Sequence, residues 1–331
     1  MYENVEQISK NFQYFDFPLN VIIEPSNFCN LNCITCAHDK LTRNKGKMDI
    51  RLYKRIIDEI AQENPNTRIW LDFYGEPLLL QFKLFYLINY AKKKGLSNVC
   101  VNTNGTLLTE EISEMLIDSG IDFISIDCDG FSKEIYERIR VNANRDDVYK
   151  NIEYFADRLI LARNQGIRTP IVEIKIMEMN ENKHEIDLVM DYWRKRGLWT
   201  TKRRLITWAS SSENIQIGVN IQRQPCAHAI GIFVITWDGK ATNCVMDVDG
   251  KYICGDVTQE SIKSIWQRRN RNLVEKHMKR EWRELPDICK KCSDWFIVGE
   301  ERFDENGIPV KKNYDKNGKM LEYSINFKKM V

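Results

Sequence analysis

The chain has 331 residues, 43% of them hydrophobic, so it can bury a large core in one or two domains. Its 49 basic and 47 acidic residues leave a formal net charge of +2, which argues against a nucleic-acid or membrane-surface partner. It has no apolar stretch of membrane-spanning length, and its first residues do not resemble a signal peptide. Its ten cysteines therefore predict metal ligation in a reducing, cytoplasmic compartment rather than disulfides.

Strand-like and helix-like segments alternate from about residue 18 to about residue 197. The predicted strands are Val21–Glu24, Arg68–Phe73, Asn98–Asn102, Phe123–Asp127 and Val172–Met177. The helical segments between and after them are Ile50–Gln62, Phe82–Lys94, Glu110–Ser119, Val148–Asn164 and Lys183–Arg196. Gly95, Gly120 and Gly197 follow three of these helices, where a left-handed cap is favoured. The alternation predicts an α/β fold with a parallel sheet, and functional groups at the carboxyl ends of its strands.

Three cysteines follow the first predicted strand closely. Cys29, Cys33 and Cys36 form a C-x3-C-x2-C pattern, which can bind three irons of a [4Fe–4S] cluster and leave the fourth open to a small molecule. The alternatives are a zinc site with His38 as a further ligand and three core cysteines without a ligand. A disulfide framework is typical of small secreted domains and does not suit this chain.

With this pattern after its first strand, the sequence resembles the radical S-adenosylmethionine (SAM) superfamily. The resemblance implies a TIM-like partial barrel of about six strands and a cluster that binds the amine and carboxylate of SAM. It also implies reductive cleavage of SAM to a 5′-deoxyadenosyl radical, which abstracts a hydrogen atom from the substrate. The family often has an aromatic residue just before the third cysteine, whereas this chain has Thr35.

Polar motifs at the ends of the next three strands are the candidate SAM contacts. Tyr74-Gly75-Glu76-Pro77 is similar to the Gly-Gly-Glu-Pro motif of the family, whose backbone and glutamate hold the SAM amino group. The resemblance also places Asn102-Thr103-Asn104-Gly105 near SAM, and it implies contacts from Ser125 and Asp127 to the ribose or carboxylate. Arg140 is implied as a partner of the SAM carboxylate. The structural alternatives are ordinary turns, a helix-capping side chain and a surface ion pair.

A second group of cysteines follows the alternating region. Cys226, Cys244, Cys289 and Cys292 supply four thiolates, which would close a second [4Fe–4S] cluster or hold zinc equally well. The segment 230–246, with Asp-Gly at its centre, predicts a β-hairpin that carries Cys244.

Together with Gly-Asp-Val at 255–257 and Ile-Trp at 265–266, this second group resembles the SPASM/twitch enzymes within the radical SAM superfamily. No cysteine follows Cys292, so the resemblance is to the shortened twitch form with one auxiliary [4Fe–4S] cluster, as in enzymes that dehydrogenate amino-cyclitols. The implied fold class is α/β, a partial (β/α)6 barrel followed by a small twitch domain of a β-hairpin plus a helix. The predicted domains are an N-terminal extension (1–17), the barrel (18–200), the twitch domain (201–298) and a polar tail or small meander (299–331). In the last of these, Asp-Glu-Asn-Gly (304–307) and Asp-Lys-Asn-Gly (315–318) predict tight turns.

The three remaining cysteines have different predicted roles. Cys100 and Cys128 are expected to be small core residues. Cys254 is a candidate hydrogen-atom donor, because radical SAM epimerases use a thiol in this way; a packed apolar side chain is the alternative. We expect two-electron dehydrogenation with the auxiliary cluster as electron acceptor, and epimerisation is the alternative reaction.

The expected substrate is a small polar molecule such as a sugar, a cyclitol or a nucleotide-linked sugar. The segment before the first strand is too short for the leader-peptide domain of peptide-modifying relatives, which makes a peptide-modifying maturase the alternative. Candidate lining residues are Trp199, Arg203, Arg204, Trp208, Ser210, Ser211 and Ser212, unless they form a solvated linker with packed tryptophans. Arg203 or Arg204 would assist deprotonation or bind a phosphate.

The expected electron donor is of flavodoxin or ferredoxin type. The alternative of another class is a non-catalytic iron–sulfur or zinc protein, which would need neither Tyr74–Pro77 nor an open cluster.

Overall fold

The structure is a computed structural model that describes residues 16–206, 208–209, 223 and 225–295, together with the strands 302–303, 309–314 and 320–324. The chain divides into two compact units. The barrel unit comprises Asn20–Leu205 and Ile235–Lys240, and the auxiliary unit comprises Ile206–Val234 and Ala241–Val331 with Met1–Leu19.

The sheet of the barrel unit contains six parallel strands. They are β1 (Asn20–Ile23), β2 (Arg68–Trp70), β3 (Val99–Thr103), β4 (Phe123–Asp127), β5 (Ile171–Glu178) and β6 (Trp199–Arg204). Their spatial order is β6-β5-β4-β3-β2-β1, with neighbours parallel throughout. This order confirms the predicted α/β partial barrel. The five predicted strands are present, and β6 is a sixth strand beyond the predicted end of the alternation.

Six helices connect the strands of the barrel unit. They are α1 (Ile50–Glu63), α2 (Phe82–Lys93), α3 (Glu110–Asp118), α4 (Lys133–Ile139), α5 (Arg145–Asn164) and α6 (Ile186–Arg194). Several begin at a side chain that accepts backbone N–H groups, such as Asp49 before α1 and Asn144 before α5. The predicted glycine caps are confirmed, since Gly95, Gly120 and Gly197 have φ values of 86°, 73° and 74°.

The two faces of this sheet carry different residues because side chains alternate along each strand. One face is apolar and fully buried, with Val21, Ile69, Val99 and Ile124 in successive strands. The opposite face begins with an aromatic layer, in which the ring of Phe123 lies 5.7 Å from that of Trp70 and 6.2 Å from that of Trp199. Toward the carboxyl ends of the strands this face becomes polar, and it is there that the predicted site residues gather.

Short elements make up the chain from residue 225 to residue 295, which belongs to the auxiliary unit except for Ile235–Lys240. The strands of this segment are β7 (Ile232–Ile235), β8 (Lys240–Thr242) and β9 (Ile253–Asp256), which are neighbours in that order. Its helices are α7 (Ala227–Gly231), α8 (Ile262–Arg269), α9 (Glu275–Met278) and α10 (Asp287–Lys291). A π-helical turn, Asn270–Val274, joins α8 to α9. The predicted hairpin is confirmed, with Gly239 at φ 86° in the turn between β7 and β8.

Three strands follow near the end of the chain. β10 (Arg302–Phe303), β11 (Pro309–Tyr314) and β12 (Met320–Ser324) form an antiparallel sheet. The predicted turns at 304–307 and 315–318 lie outside the described residues, between strands whose pairing is antiparallel. No helix in the described part of the chain combines the length and apolar character that crossing a membrane requires.

Candidate active site

The three cysteines of the barrel unit share one loop after β1. The amide of Cys36 donates to the carbonyl of Cys33 at 3.0 Å, which folds the loop into a tight turn. Burial raises the pKa of all three thiols, that of Cys36 to about 12, and the charges of Cys29 and Cys33 contribute to this shift. The three thiols lie within eight residues of one loop, so a positive centre that all three share would favour their ionisation.

Three neighbouring segments of the barrel unit fix the position of this cysteine loop. The contacts are Glu76 N to Phe28 O (2.8 Å), Asn104 Nδ2 to Asn30 Oδ1 (3.0 Å), Asn32 N to Val141 O (3.0 Å) and Ile34 N to Ile139 O (3.0 Å). They reach the turns after β2 and β3 and the end of α4. Hydrogen bonds to these two turns and to the end of α4 therefore stabilise the conformation of the loop.

Gly75 allows the closest of these approaches. A Cβ atom at this position would lie 2.1 Å from the carbonyl oxygen of Ser26, which belongs to the backbone and cannot swing aside. The residue thus has to be glycine if the turn after β2 is to pack against the segment that leads into Cys29.

Glu76 is buried and gathers three hydrogen-bond donors. Its carboxylate accepts from the amide of Leu78 (3.0 Å), the hydroxyl of Thr103 (2.7 Å) and the amide of Asn104 (2.8 Å). Burial raises the pKa of Glu76 to about 7, and the three donors oppose that rise. Two of the predicted SAM motifs are therefore joined through one carboxylate, which also suits a cationic amine as a partner. Contact of these residues with SAM stays a prediction.

Only 7% of Arg140 is exposed, so its ion pairs are buried and do not lie on the surface. Its guanidinium is 2.5 Å from the carboxylate of Asp129 and 3.5 Å from that of Asp127, and it donates to the Sγ atom of Cys33 at 3.7 Å. The predicted partner, the SAM carboxylate, is not tested by these contacts. They show that Arg140 ties the cysteine loop to the end of β4.

A row of hydrogen-bonded polar residues crosses β3, β4 and β5. Asp127 accepts from Asn102 (3.0 Å) and forms an ion pair with Lys175 (3.0 Å). Burial opposes its ionisation, but the cations Lys175 and Arg140 outweigh burial and hold the pKa of Asp127 below its usual value. Ser125 donates to Glu173 at 3.1 Å. Sequence reasoning missed Glu173 and Lys175, although polar residues at alternate positions of an otherwise apolar strand were a signal.

Asp72 is a further residue that sequence reasoning missed. It lies two residues beyond β2, is partly buried, and no hydrogen bond to its side chain is found among the described residues. Burial raises the pKa of Asp72 to about 7; the charge of Lys175 lowers it, and those of Asp127 and Glu76 raise it further. A carboxyl group that titrates near neutrality at a strand end is suited to proton transfer.

His38 makes a backbone contact instead of joining the thiols through Nε2. This nitrogen lies 3.0 Å from the carbonyl oxygen of Asn27, to which it can only donate. The contact removes Nε2 from the set of ligands that a zinc site with His38 would use.

The residues predicted to line a substrate site have separate placements. Trp199, Arg203 and Arg204 lie on β6, with Arg203 opposite Met177 of β5 in the register. Trp208 belongs to the auxiliary unit, and Ser210, Ser211 and Ser212 lie outside the described residues. A common substrate site for this set therefore stays a prediction.

The second cysteine group draws its thiols from separate elements of the auxiliary unit. Cys226 precedes α7, Cys244 follows β8, Cys289 lies in α10 and Cys292 follows it. Burial and the charges of the three other thiols raise the pKa of Cys244 well above its usual value. Backbone amides already point at two of the sulfurs, Met246 N at 3.3 Å from Cys244 and Asp294 N at 3.2 Å from Cys292. The four thiols therefore come from three separate parts of the chain, since Cys289 and Cys292 are only three residues apart.

No three or more His, Cys, Asp and Glu side chains among the described residues form a group that could hold a metal ion. The structure shows two sets of thiols, half-buried except for the buried Cys289, and hydrogen-bond donors lie near Cys33, Cys244 and Cys292. Thiolates of this kind fit the donor chemistry of iron–sulfur clusters. Ligation by Cys29, Cys33 and Cys36, and by Cys226, Cys244, Cys289 and Cys292, stays a prediction.

The other cysteines are placed in different surroundings. Cys100 and Cys128 are fully buried, which confirms that they are core residues. Cys254 lies in β9, where its thiol donates to the carbonyl of Ala241 at 3.4 Å, and burial raises its pKa to about 11. Its role as a hydrogen-atom donor is not tested by these contacts.

Two family models match the chain. The model of the radical SAM superfamily matches residues 23–191, about half of the chain, and that of the SPASM iron–sulfur cluster-binding domain matches residues 226–293. The chain belongs to the radical SAM superfamily and carries a SPASM domain.

Particular relatives resemble the chain over most of its length. The S-adenosyl-L-methionine-dependent 2-deoxy-scyllo-inosamine dehydrogenase of Niallia circulans is 21% identical over 283 residues, 85% of this chain and 95% of the relative. The crystal structure of BtrN in complex with AdoMet and 2-DOIA has a TM-score of 0.60 at 18% identity, covering 87% of this chain and 98% of BtrN. Native anSMEcpe with bound AdoMet also has a TM-score of 0.60 at 18% identity, covering 94% and 95%, and was also solved with the Cp18Cys peptide. These structures show a shared fold.

Proposed function

We propose that this chain is a radical SAM oxidoreductase that dehydrogenates a small polar substrate, namely a sugar, a cyclitol or a nucleotide-linked sugar. The observation that carries the proposal is the cysteine loop of the barrel unit, which a backbone hydrogen bond from Glu76 N to Phe28 O holds against the turn that contains Glu76. An electron carrier needs no such buried carboxylate beside its cluster, whereas an enzyme that binds the amine of SAM does.

The residues that would hold the cofactors lie at the carboxyl ends of β1 to β4. Cys29, Cys33 and Cys36 would bind a [4Fe–4S] cluster, and Glu76 would accept hydrogen bonds from the amino group of SAM. When bound, the cluster and SAM supply the electron and the radical that removes a hydrogen atom from the substrate. Arg140, neutralised by Asp129 and Asp127, keeps the loop that bears Cys33 in place.

Two-electron oxidation of an alcohol carbon also requires that one proton and one electron leave the substrate. Asp72 is the proposed proton acceptor, because a base with a pKa of about 7 can accept a proton efficiently at neutral pH. Arg203 and Arg204, the sequence candidates, remain positively charged at any ordinary pH and suit substrate anchoring better than proton abstraction. Lys175 beside Asp127 adds a cation that can orient a hydroxyl group.

The second cysteine group is the proposed electron acceptor, as an auxiliary [4Fe–4S] cluster. The SPASM match supports a cluster in this domain, and the mutual influence of the four thiols supports Cys226, Cys244, Cys289 and Cys292 as its ligands. Zinc at the same thiols could not accept an electron. Reduction of the first cluster is proposed to come from a flavodoxin- or ferredoxin-type protein.

A small polar substrate is supported by the named relatives. The dehydrogenase of Niallia circulans is named for 2-deoxy-scyllo-inosamine, and this chain covers 95% of that enzyme and 98% of BtrN. A peptide substrate is the second candidate, because anSMEcpe has the same TM-score as BtrN and binds the Cp18Cys peptide.

The test begins with the anaerobically reconstituted full chain. We expect about eight irons per chain, from two four-iron clusters, and release of 5′-deoxyadenosine when SAM and dithionite are added. Incubation with sugars, cyclitols and the Cp18Cys peptide then separates the two substrate classes by mass change, since dehydrogenation removes two hydrogens. A loaded first cluster that cleaves no SAM would refute the enzyme, and zinc without iron at both sites would support a structural protein.

Asp72→Asn tests the proton acceptor separately. Product formation should fall by about 100-fold or more while release of 5′-deoxyadenosine persists, because the base acts after hydrogen abstraction. Asp118→Asn, which changes an exposed aspartate of the same unit, is the matched control. Equal product formation by Asp72→Asn and the control would exclude Asp72 as the base.

A further inference from the structure

The auxiliary unit buries an arginine beside its cysteines. Arg269 is the last residue of α8, only 2% of it is exposed, and the π-helical turn Asn270–Val274 follows directly. π-Helical turns within helices are frequent at functional sites, where they reorient side chains that a regular helix would place elsewhere. The position is therefore unusual both in its backbone and in its burial.

The guanidinium of Arg269 is only partly satisfied. Its Nη2 atom donates to the carbonyls of Asn243 (2.9 Å) and Ile232 (3.3 Å). The Cζ atom of the guanidinium lies 5.3 Å from the ring centre of Trp266. Its Nε and Nη1 atoms are buried without a hydrogen-bond partner, and it forms no salt bridge with any described carboxylate. A buried cation in this state is costly unless a counter-charge completes it.

One of these carbonyls places Arg269 next to the second cysteine group, because Asn243 directly precedes Cys244 in the chain. Burial lowers the pKa of Arg269, whereas the charges of Cys254, Cys244, Cys226 and Cys289 raise it. Three of these four belong to the proposed ligand set. An apolar cluster of Ala229, Leu273, Leu285 and Cys289, with Cys226, Trp282 and Ile288 packed on it, keeps the surroundings poorly polarisable.

The other basic groups of this region are less buried or neutral, although the Nε atom of Arg223 also lacks a hydrogen-bond partner. Arg223 is partly buried and donates to the carbonyls of Cys289 and Lys290. Burial, with the charges of Arg223 and Arg269, lowers the pKa of His277 to about 4, so that its ring is neutral at physiological pH. Arg269 is thus the most buried cation that faces the thiols and still has free donors, among the residues that the structure describes.

We infer that Arg269 is the internal counter-charge of the auxiliary cluster, directing its Nε–H and Nη1–H groups toward the cluster sulfurs and raising the reduction potential of the cluster. The inference rests on the proposed cluster at Cys226, Cys244, Cys289 and Cys292. Hydrogen bonds to sulfur and nearby positive charge both favour the more negative, reduced state, which is the state that an electron acceptor must reach. Arg269 acts through the cluster and is a positioning residue.

The test isolates the auxiliary cluster in the full chain. Replacing Cys29, Cys33 and Cys36 by alanine leaves the second group as the iron site, and Arg269→Gln, Arg269→Lys and Arg271→Gln are then compared in that background. Arg271 is exposed and lies two residues away, so its variant removes an equal charge without touching the buried site. Iron and sulfide content and an EPR-monitored redox titration are the readouts.

We expect Arg269→Gln to make one-electron reduction at least tenfold less favourable, a shift of about 59 mV toward negative potential. Arg269→Lys should shift it less, and Arg271→Gln should match the parent. If Arg269→Gln fails to hold iron while Arg269→Lys holds it, the counter-charge is also supported. An unchanged reduction potential, or loss of iron from both Arg269 variants, would overturn the inference about Arg269 but not the proposed auxiliary cluster. A parent background without iron and sulfide would overturn the proposed auxiliary cluster, and the inference with it.

Discussion

The two cysteine groups differ in how their thiols are arranged along the chain and in how the arginine beside them is compensated. In the barrel unit, three thiols lie within eight residues of one loop, and the adjacent Arg140 is neutralised by Asp129 and Asp127. In the auxiliary unit, four thiols come from three separate parts of the chain, and Arg269 has no carboxylate partner in the described structure. The cation beside the first group is therefore compensated by carboxylates, whereas the cation of the second group is not.

This difference predicts how each region depends on iron. The barrel loop is held by hydrogen bonds to three segments of its own unit, so its conformation should survive without a cluster. The auxiliary unit takes its thiols from separate parts of the chain and contains a buried cation, so binding a negatively charged cluster would contribute directly to its folding free energy.

Single cysteine substitutions should have the largest effects and should separate the two groups. Cys33→Ala removes a proposed ligand of the first cluster and should abolish release of 5′-deoxyadenosine. Cys244→Ala should leave that release measurable while dehydrogenated product is lost, because it removes only the proposed electron acceptor. Iron content, 5′-deoxyadenosine and product are measured together.

Cys100→Ala is the control for loss of a buried sulfur, and it should retain both clusters. If Cys33→Ala still cleaved SAM, or if Cys244→Ala turned over normally, the division of roles between the two groups would be wrong.

Gly75→Ala should produce the next largest effect by moving the barrel loop. The added Cβ would meet the backbone of Ser26, and relieving that clash should cost about 1–3 kcal/mol and displace the segment before Cys29. We expect the variant to keep the auxiliary cluster but retain little iron in the first, as measured by EPR of the reduced protein. Gly231→Ala, where a Cβ would meet nothing within 4 Å, should behave as the parent chain. Full occupancy of the first cluster in Gly75→Ala would show that the loop tolerates displacement.

The sequence predicted more of the barrel loop than of its surroundings. Cys29, Cys33 and Cys36 were recognisable because their ligand spacing is local, and Glu76 because Tyr74-Gly75-Glu76-Pro77 resembles a family motif. The strand β6 was missed because Thr-Thr-Lys-Arg-Arg lacks the apolar character that marks a central strand.

The contacts that matter most at long range could not be read from the chain. The role of Lys175 becomes visible only when the register places it beside Asp127. That of Arg269 becomes visible only when packing places its guanidinium against the carbonyl of Asn243, next to Cys244. Asp72 has no motif of its own, since its raised pKa comes from burial and from neighbours on other strands. Such features depend on tertiary packing.

Glu76 allows a test of the barrel unit by pH. Because the pKa of Glu76 is raised to about 7, its carboxylate ionises as the pH rises through neutrality, and only the ionised form attracts an ammonium group. Affinity for SAM, measured by calorimetry on the reconstituted protein, should therefore increase from pH 6 to pH 8. Glu76→Gln should weaken binding by about tenfold or more at pH 8 and remove this dependence, since a charged hydrogen bond contributes about 1.5–3 kcal/mol.

The exposed Glu111 provides the matched control, and Glu111→Gln should bind SAM as the parent does. A pH-independent affinity in the parent chain would mean that Glu76 does not face the amino group.

Substitution of Cys254 should have the smallest effect on turnover, and it tests whether the auxiliary unit supplies a hydrogen-atom donor. Its thiol donates to the carbonyl of Ala241, an interaction that β9 can lose at little cost, so a dehydrogenase should keep its turnover within about twofold in Cys254→Ala. Cys254→Ser preserves shape and hydrogen bonding but has an O–H bond too strong to give a hydrogen atom to a carbon radical. If both variants released 5′-deoxyadenosine without forming product, and the parent incorporated solvent deuterium at carbon, the thiol would be the hydrogen-atom donor of an epimerase. Normal turnover in both would leave electron transfer to the second cysteine group as the route by which the substrate radical is consumed.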